Sequence, residues 1–212
     1  MIYKLLQRDF FKKDITLALL AALIFTITFS LAGFDRKCEQ LRNRVLRLHI
    51  LANSDSAEDQ AIKLQVRDRL LTLSDGLYDS LDSKEQAIEM TKTHLAELKA
   101  AAEQTVHEAG GTESVSISIG KAYFETRNYE NFTLPAGEYD AVRVLIGKAE
   151  GKNWWCVMFP ALCIPAADSG HALEDAVDEK AAEIAKNAPR YEMRFKAVEI
   201  YESIKQRWKE CF

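Results

Sequence analysis

Residues Ile15 to Leu31, ITLALLAALIFTITFSL, run for 17 residues without a charge, and no other segment limits the chain's architecture as strongly. Lys4, Arg8, Lys12 and Lys13 precede it, so a cationic stretch leads into an apolar core, the pattern that export machinery reads. Ser30 and Ala32 put small residues at the −3 and −1 places of a cleavage site before Gly33. Two readings compete, a cleaved signal peptide and an uncleaved anchor. The run exceeds the roughly 7–15 residues of a usual signal core. As a helix it reaches about 26 Å, a little short of a hydrocarbon layer of about 30 Å. Arg36, Lys37, Arg42, Arg44 and Arg47 lie just beyond it, so flanking charge does not choose an orientation. Cys38 follows Asp35-Arg36-Lys37, which is no acceptor for a lipid anchor. The reading favours export of the body and cleavage after Ala32. A buried helix of a soluble protein is the poorer account, because the segment is apolar all round and starts near residue 1. The expected division is a leader or membrane anchor over 1–32 and one α+β domain over 33–212.

Charge and composition then exclude classes. The chain has 28 Lys and Arg against 32 Asp and Glu. Setting 1–32 aside leaves 24 cations against 30 carboxylates, a net of −6. Such a body does not resemble a nucleic-acid binder, and as a whole it has no strong pull towards an anionic membrane face. With 48% apolar residues the whole chain is neither disordered nor a disulfide-rich miniprotein. The four cysteines are Cys38, Cys156, Cys163 and Cys211. In an oxidising space Cys156 and Cys163 could pair; unpaired, they are small apolar core residues. No CxxC exists and no metal set is expected.

Periodicity outlines the body. Leu46, Leu48 and Ile50 alternate with Arg47 and His49, a half-buried strand with His49 on its outward face. Asn53 to Ser56 are turn and capping residues. A helix follows, with Ile62, Val66, Leu70, Leu73 and Leu77 on its stripe. The capping box Ser83–Gln86 opens a second helix that ends at Gly110-Gly111. Val115–Ile119 is a strand with a break expected near Gly120, and Thr126–Glu138 has no period and reads as a surface loop. Val142–Ile146 and Trp154–Phe159 are strands, the second covered on both faces and ended by Pro160. Helices are expected over Ala172–Lys186, stopped by Pro189, and over Lys196–Glu210, with a short strand through Tyr191, Met193 and Phe195. The fold class is α+β: one mixed or antiparallel sheet, helices mainly on one face, and an N-terminal hydrophobic export segment.

Chemistry is sparse. The sequence has no nucleophile elbow, no paired metal-ligand histidines and no phosphate loop, so no cofactor is expected. Glu138 and Asp140, beside Tyr139, are a conceivable glycosidase pair, although charged residues entering a strand are ordinarily a solvated face. The aromatic segment Thr126–Tyr139 has interface-type residues, the alternative being that Phe132 and Leu134 tuck into the core.

Two blocks carry a resemblance. Ile50–Gln60 reads ILANSDSAEDQ and is followed by KLQVRD at Lys63–Asp68. Phe124–Cys163 reads FETRNYENFTLPAGEYDAVRVLIGKAEGKNWWCVMFPALC. Together they resemble the stage II sporulation protein R family over about residues 45–165. Ala57 and Ala161 stand where that family often has proline. The resemblance implies a signalling protein, not an enzyme. It would be made in the forespore and exported into the space between the forespore and mother-cell membranes. There it would trigger a membrane-embedded aspartic protease that cleaves the mother-cell pro-sigma-E factor. The expected contact surface is the loop around Arg127, Tyr129, Phe132 and Tyr139, with Glu138 beside it and Asn53 and Asp55 nearby. Rival readings are an exported cell-wall hydrolase using Glu138 or Asp140, and a structural wall-associated domain.

Overall fold

A computed structural model describes residues 2–74, 76–78, 80–129, 132–160 and 179–211, the side chains of 2–14, 179, 180, 188 and 210 aside. Helix α1, Ile2–Arg44, is continuous for 43 residues, about 65 Å of helix. Its apolar stretch is long enough to cross a membrane, and the described residues leave it unburied. The same helix then enters the fold, because Phe34, Cys38 and Leu41 are buried. The candidate cleavage site before Gly33 therefore lies within a helix, one residue ahead of a core aromatic.

Strand β1 (Leu46–Leu51) leads to α2 (Ala57–Ser74), α3 (Lys84–Thr93) and α4 (Leu95–Glu108). Strand β2 (Val115–Phe124), the pair β3 (Arg127–Asn128) and β4 (Thr133–Leu134), β5 (Gly137–Ile146) and β6 (Asn153–Phe159) follow. Helices α5 (Glu179–Lys186) and α6 (Ala188–Cys211) close the described chain. The sheet order is β2-β5-β1-β6. β1 runs parallel to β5, and the other two pairings are antiparallel. The sheet is mixed, and the class is α+β.

Local signals placed the first layer. The Asp59 N–H donates to Ser56 Oγ at 3.1 Å and the Gln86 N–H to Ser83 Oγ at 3.3 Å, so both caps form as their sequences require. The α2 stripe packs Ile62, Val66 and Leu70 against Leu98, Ala102 and Val106 of α4 and Leu48, Ile50, Val142 and Val144 of the sheet. The helix expected between Ser83 and Gly110 is two helices that meet at His94, and the apolar stripe carries on across the break. β2 runs unbroken through Gly120.

The second face differs from expectation. β1 is not half-buried: Arg47 is 0% exposed and His49 7%. A second cluster covers that face, built from Leu41 of α1, Phe132, Leu134, Tyr139 and Val157, and Ala181, Ala182 and Ala185 of α5. β6 has both faces covered over Cys156–Phe159, as its apolar run suggests. The short strand expected at Tyr191–Phe195 is helix, and Pro189 opens α6 instead of stopping its predecessor. Proline fits a first helical turn, where its missing N–H costs nothing. Tyr191, Phe195, Val198 and Glu202 then share one face at helical spacing, while Met193 is 84% exposed. Residues 172–178 of the expected helix lie outside the described residues.

Candidate partner-binding site

Arg42, in the last turn of α1, fixes the base of the segment that the sequence marked as an interface. Its Nη1 donates to Ala136 O at 2.9 Å. Its Nη2 pairs with Asp35 at 3.2 Å and with Glu202 of α6 at 3.7 Å. Gly137, with φ +142, lets the chain turn into β5 against that side chain, since a Cβ there would lie 2.6 Å from Arg42 Cδ. Beyond this anchor the segment is no loose loop. β3 and β4 pair as a small hairpin, held by Tyr129 N–H to Phe132 O at 2.8 Å and Thr133 Oγ1 to Asn128 Oδ1 at 2.8 Å.

This hairpin separates the expected contact residues. Phe132, Leu134 and Tyr139 are buried, because the apolar second face of the sheet needs them as cover. Tyr139 Oη donates to Pro135 O at 2.6 Å. Tyr129 is half-buried and its ring stacks on Phe132 at 4.7 Å. Arg127 is exposed, its guanidinium 5.8 Å from the Trp155 ring centre.

Asn53 and Asp55 serve a different task. Asn53 Oδ1 accepts from Lys148 N–H at 3.0 Å, and its Nδ2 donates to Asp59 Oδ2 at 3.1 Å. Asp55 Oδ1 accepts from Lys152 N–H at 2.7 Å. These side chains clamp the β1–α2 turn to the β5–β6 turn. Gly151 is needed there, because a Cβ would strike Ser54 O. The clamp lies in the two sequence blocks that carry the resemblance, and the Oδ1 atoms of Asn53 and Asp55 are spent on backbone N–H groups.

The acid pair does not form an acid–base couple. Glu138 pairs with Lys209 at 2.6 Å. Asp140 accepts from Lys84 at 2.6 Å and Lys121 at 3.0 Å. Burial would raise the Asp140 carboxyl, but the two lysines outweigh it and hold it below the ordinary carboxylate range. A glycosidase acid needs the opposite shift. Among the described residues, no group of three or more His, Cys, Asp or Glu side chains is arranged to hold a metal.

His49 stacks on Trp155 with ring centres 3.8 Å apart and shares a 2.7 Å hydrogen bond with Asn153 Oδ1. Burial lowers its pKa; the Asn153 bond opposes this, and the Arg143 and Arg47 charges add to the lowering. The folded protein thus holds the imidazole neutral where the unfolded chain would take a proton. Its stabilising contribution is complete above the unfolded value of about 6.5 and is lost as pH falls through the lower folded value. Acidification from about pH 7.5 to about 5.5 is therefore expected to lower the Tm of the native chain more than that of His49→Phe, which keeps the stack. Equal losses in the two proteins by calorimetry would contradict this account.

The hairpin and α6 enclose a groove of about 730 Å³. Tyr129, Phe132 and Asn128 line one side, and Pro189, Met193 and Lys196 the other. The α6 side was missed from sequence because Tyr191, Met193 and Phe195 alternate as a strand would. Asn187-Pro189 as a helix start, with apolar residues at i, i+4 and i+7 beyond it, was the available signal. Cys156 is disulfide-bonded, so it is not the unpaired core residue of the alternative reading, and Cys163, the partner the first reading gave it, lies outside the described residues. Cys38 is a free, buried cysteine whose thiol burial pushes up to about 12. It is inert.

No solved structure matches the chain. Stage II sporulation protein R of Bacillus subtilis (strain 168) is 37% identical over 140 residues, 66% of this chain and 62% of that protein, so the matched segment spans under two-thirds of the relative's length. The family model described as stage II sporulation protein R matches residues 42–169, from the hairpin's Arg42 anchor through both turns of the clamp. With more than half its length so matched, the chain belongs to the stage II sporulation protein R family and its role is in sporulation.

Proposed function

We propose that this chain is an exported signal of sporulation. It acts between the forespore and mother-cell membranes by binding a membrane-embedded aspartic protease and thereby causing cleavage of pro-sigma-E. Family membership carries the reading. The fold supports it by offering a shaped groove and no paired acid for catalysis of its own. The chain works by being recognised. Its Arg127–Leu134 hairpin and the facing side of α6 form the receptor surface, while Asn53 and Asp55 keep the scaffold rigid behind it.

The energetics are those of selective binding. A protease that interconverts between inactive and active arrangements responds only to a ligand that prefers the active one. Turning a 1:99 population into 99:1 takes about 5.5 kcal/mol of preference. A standard interface with a few anchoring aromatic or arginine residues supplies that much.

The test is reconstitution in a host without sporulation genes, expressing this chain, the protease and the pro-sigma factor together. Cleavage is expected only when all three are present. Cleavage without this chain, or none with it, would overturn the proposal.

A further inference from the structure

The contacts between α1 and α6 rise in step. Phe34 stacks on Tyr191 at 5.8 Å and meets Phe195 edge-on at 5.2 Å, and eight residues later Arg42 reaches Glu202. The two helices therefore run in the same direction. Phe34 lies three residues past Leu31, about 4–5 Å beyond the end of the apolar run. Phe34 meets both Tyr191 and Phe195, so it is level with the turn of α6 between them, and Asn187 lies about 6–12 Å back along the helix. The α5–α6 corner is thus within about 8 Å of the end of the apolar run. The headgroup layer on each side of a bilayer is about 5–8 Å deep, so this corner meets it whenever α1 is inserted.

Its chemistry suits that layer. Arg190 lies 6.0 Å from the Tyr191 ring centre, and Arg194 5.8 Å from Tyr191 and 5.9 Å from Phe34. Both arginines are exposed, as is Arg36 of α1. Aromatic rings flanked by arginines are what a membrane interface selects: the rings sit among the headgroups and the guanidinium groups meet phosphate. The body as a whole is acidic, so this is a local property of one end. Asp35, an acid one residue from Phe34, is occupied by Arg42, and Glu183 of α5 accepts from Tyr191 Oη at 3.4 Å, which leaves the exposed Glu192 against three arginines.

We propose that the α5–α6 corner, with Tyr191, Arg190, Arg194 and Arg36, rests on the phospholipid headgroups and holds the domain at a fixed angle on the membrane that α1 enters. This rests on α1 being a retained membrane helix. The consequence is that the Tyr129–Met193 groove opens close to the bilayer that α1 enters.

The test uses the full chain in nanodiscs of phosphatidylcholine with phosphatidylglycerol, in a Cys211→Ser background. Cys38, buried in the core, is not labelled under these conditions. A fluorophore is placed by N187C, I204C or F25C and quenched with headgroup-labelled or acyl-labelled lipid. Headgroup quenching is expected at 187 and not at 204, about 25 Å further along α6. Acyl quenching is expected at 25. R190E/R194E should abolish the quenching at 187, and R190K/R194K, which keeps the charge, should retain most of it. Quenching at 25 with none at 187 overturns the docked corner while leaving the membrane helix intact. No quenching at 25 overturns the membrane helix, and the corner with it.

Discussion

Tyr129→Phe will cost the fold about 3 kcal/mol, far more than the loss of one half-buried hydroxyl ordinarily does. The reason is Arg47. Its side chain is 0% exposed in the centre of the sheet. Its guanidinium lies 3.9 Å from the Phe124 ring centre and 4.9 Å from that of Tyr139. Its Nη2 donates to Tyr129 Oη at 2.5 Å, and its Nε and Nη1 have no partner among the described residues. The aromatic faces supply cation–π attraction, about 2 kcal/mol when desolvated, but they accept no strong hydrogen bond. Removing the hydroxyl leaves a buried cation without an acceptor, which is the expensive way to break a buried polar pair.

The converse change separates this cause from general packing. Arg47→Met fills a similar volume without a charge to desolvate, and such replacements are often neutral or stabilising. In the Arg47→Met background, Tyr129→Phe should cost under about 1 kcal/mol. Urea titrations of the four proteins give the cycle directly. If Tyr129→Phe costs the same in both backgrounds, the hydroxyl does not serve Arg47 and the explanation fails.

Arg47 also shows where sequence reading stops. The alternation of Leu46, Leu48 and Ile50 with Arg47 and His49 is the mark of a strand with one wet face, and local pattern holds nothing to contradict it. The cover arrives from Phe124, Phe132 and Tyr139, about eighty residues away, and from Leu41 in the helix just before. By contrast, the α2 stripe, the Ser56 and Ser83 caps and the Trp154–Phe159 strand were legible, because each depends on neighbours within a few residues. The α5–α6 corner was misread for a related reason. Tyr191, Met193 and Phe195 satisfy a period of two, and Tyr191, Phe195 and Val198 satisfy a helical one. Only the burial of Phe195 and Val198 against Phe34 and Cys38 decides between them. The groove inherits this limit: its hairpin side was visible as an aromatic segment, its helical side was not.

The groove is where function and stability should come apart. Met193→Glu places a carboxylate on a side chain that is 84% exposed and lines the groove. Substitution at so exposed a position changes stability by no more than about 0.5 kcal/mol. A charge buried against a partner at a central contact costs about 2 kcal/mol or more of binding, roughly a thirtyfold loss. In the three-component reconstitution, Met193→Glu should therefore eliminate most pro-sigma-E processing at limiting expression while its Tm stays native. Arg127→Ala on the opposite side should lower processing in the same direction. Ile204→Glu is the matched control, an exposed apolar residue on the same helix beyond the groove, and it should process normally. Tyr129→Phe is not a clean probe of recognition, because it acts through Arg47 and loosens the hairpin from behind. Normal processing by Met193→Glu with Arg127→Ala would move the receptor surface away from the groove. Loss with Ile204→Glu alone would shift it to the far end of α6, where Tyr201, Ile204 and Trp208 are also exposed.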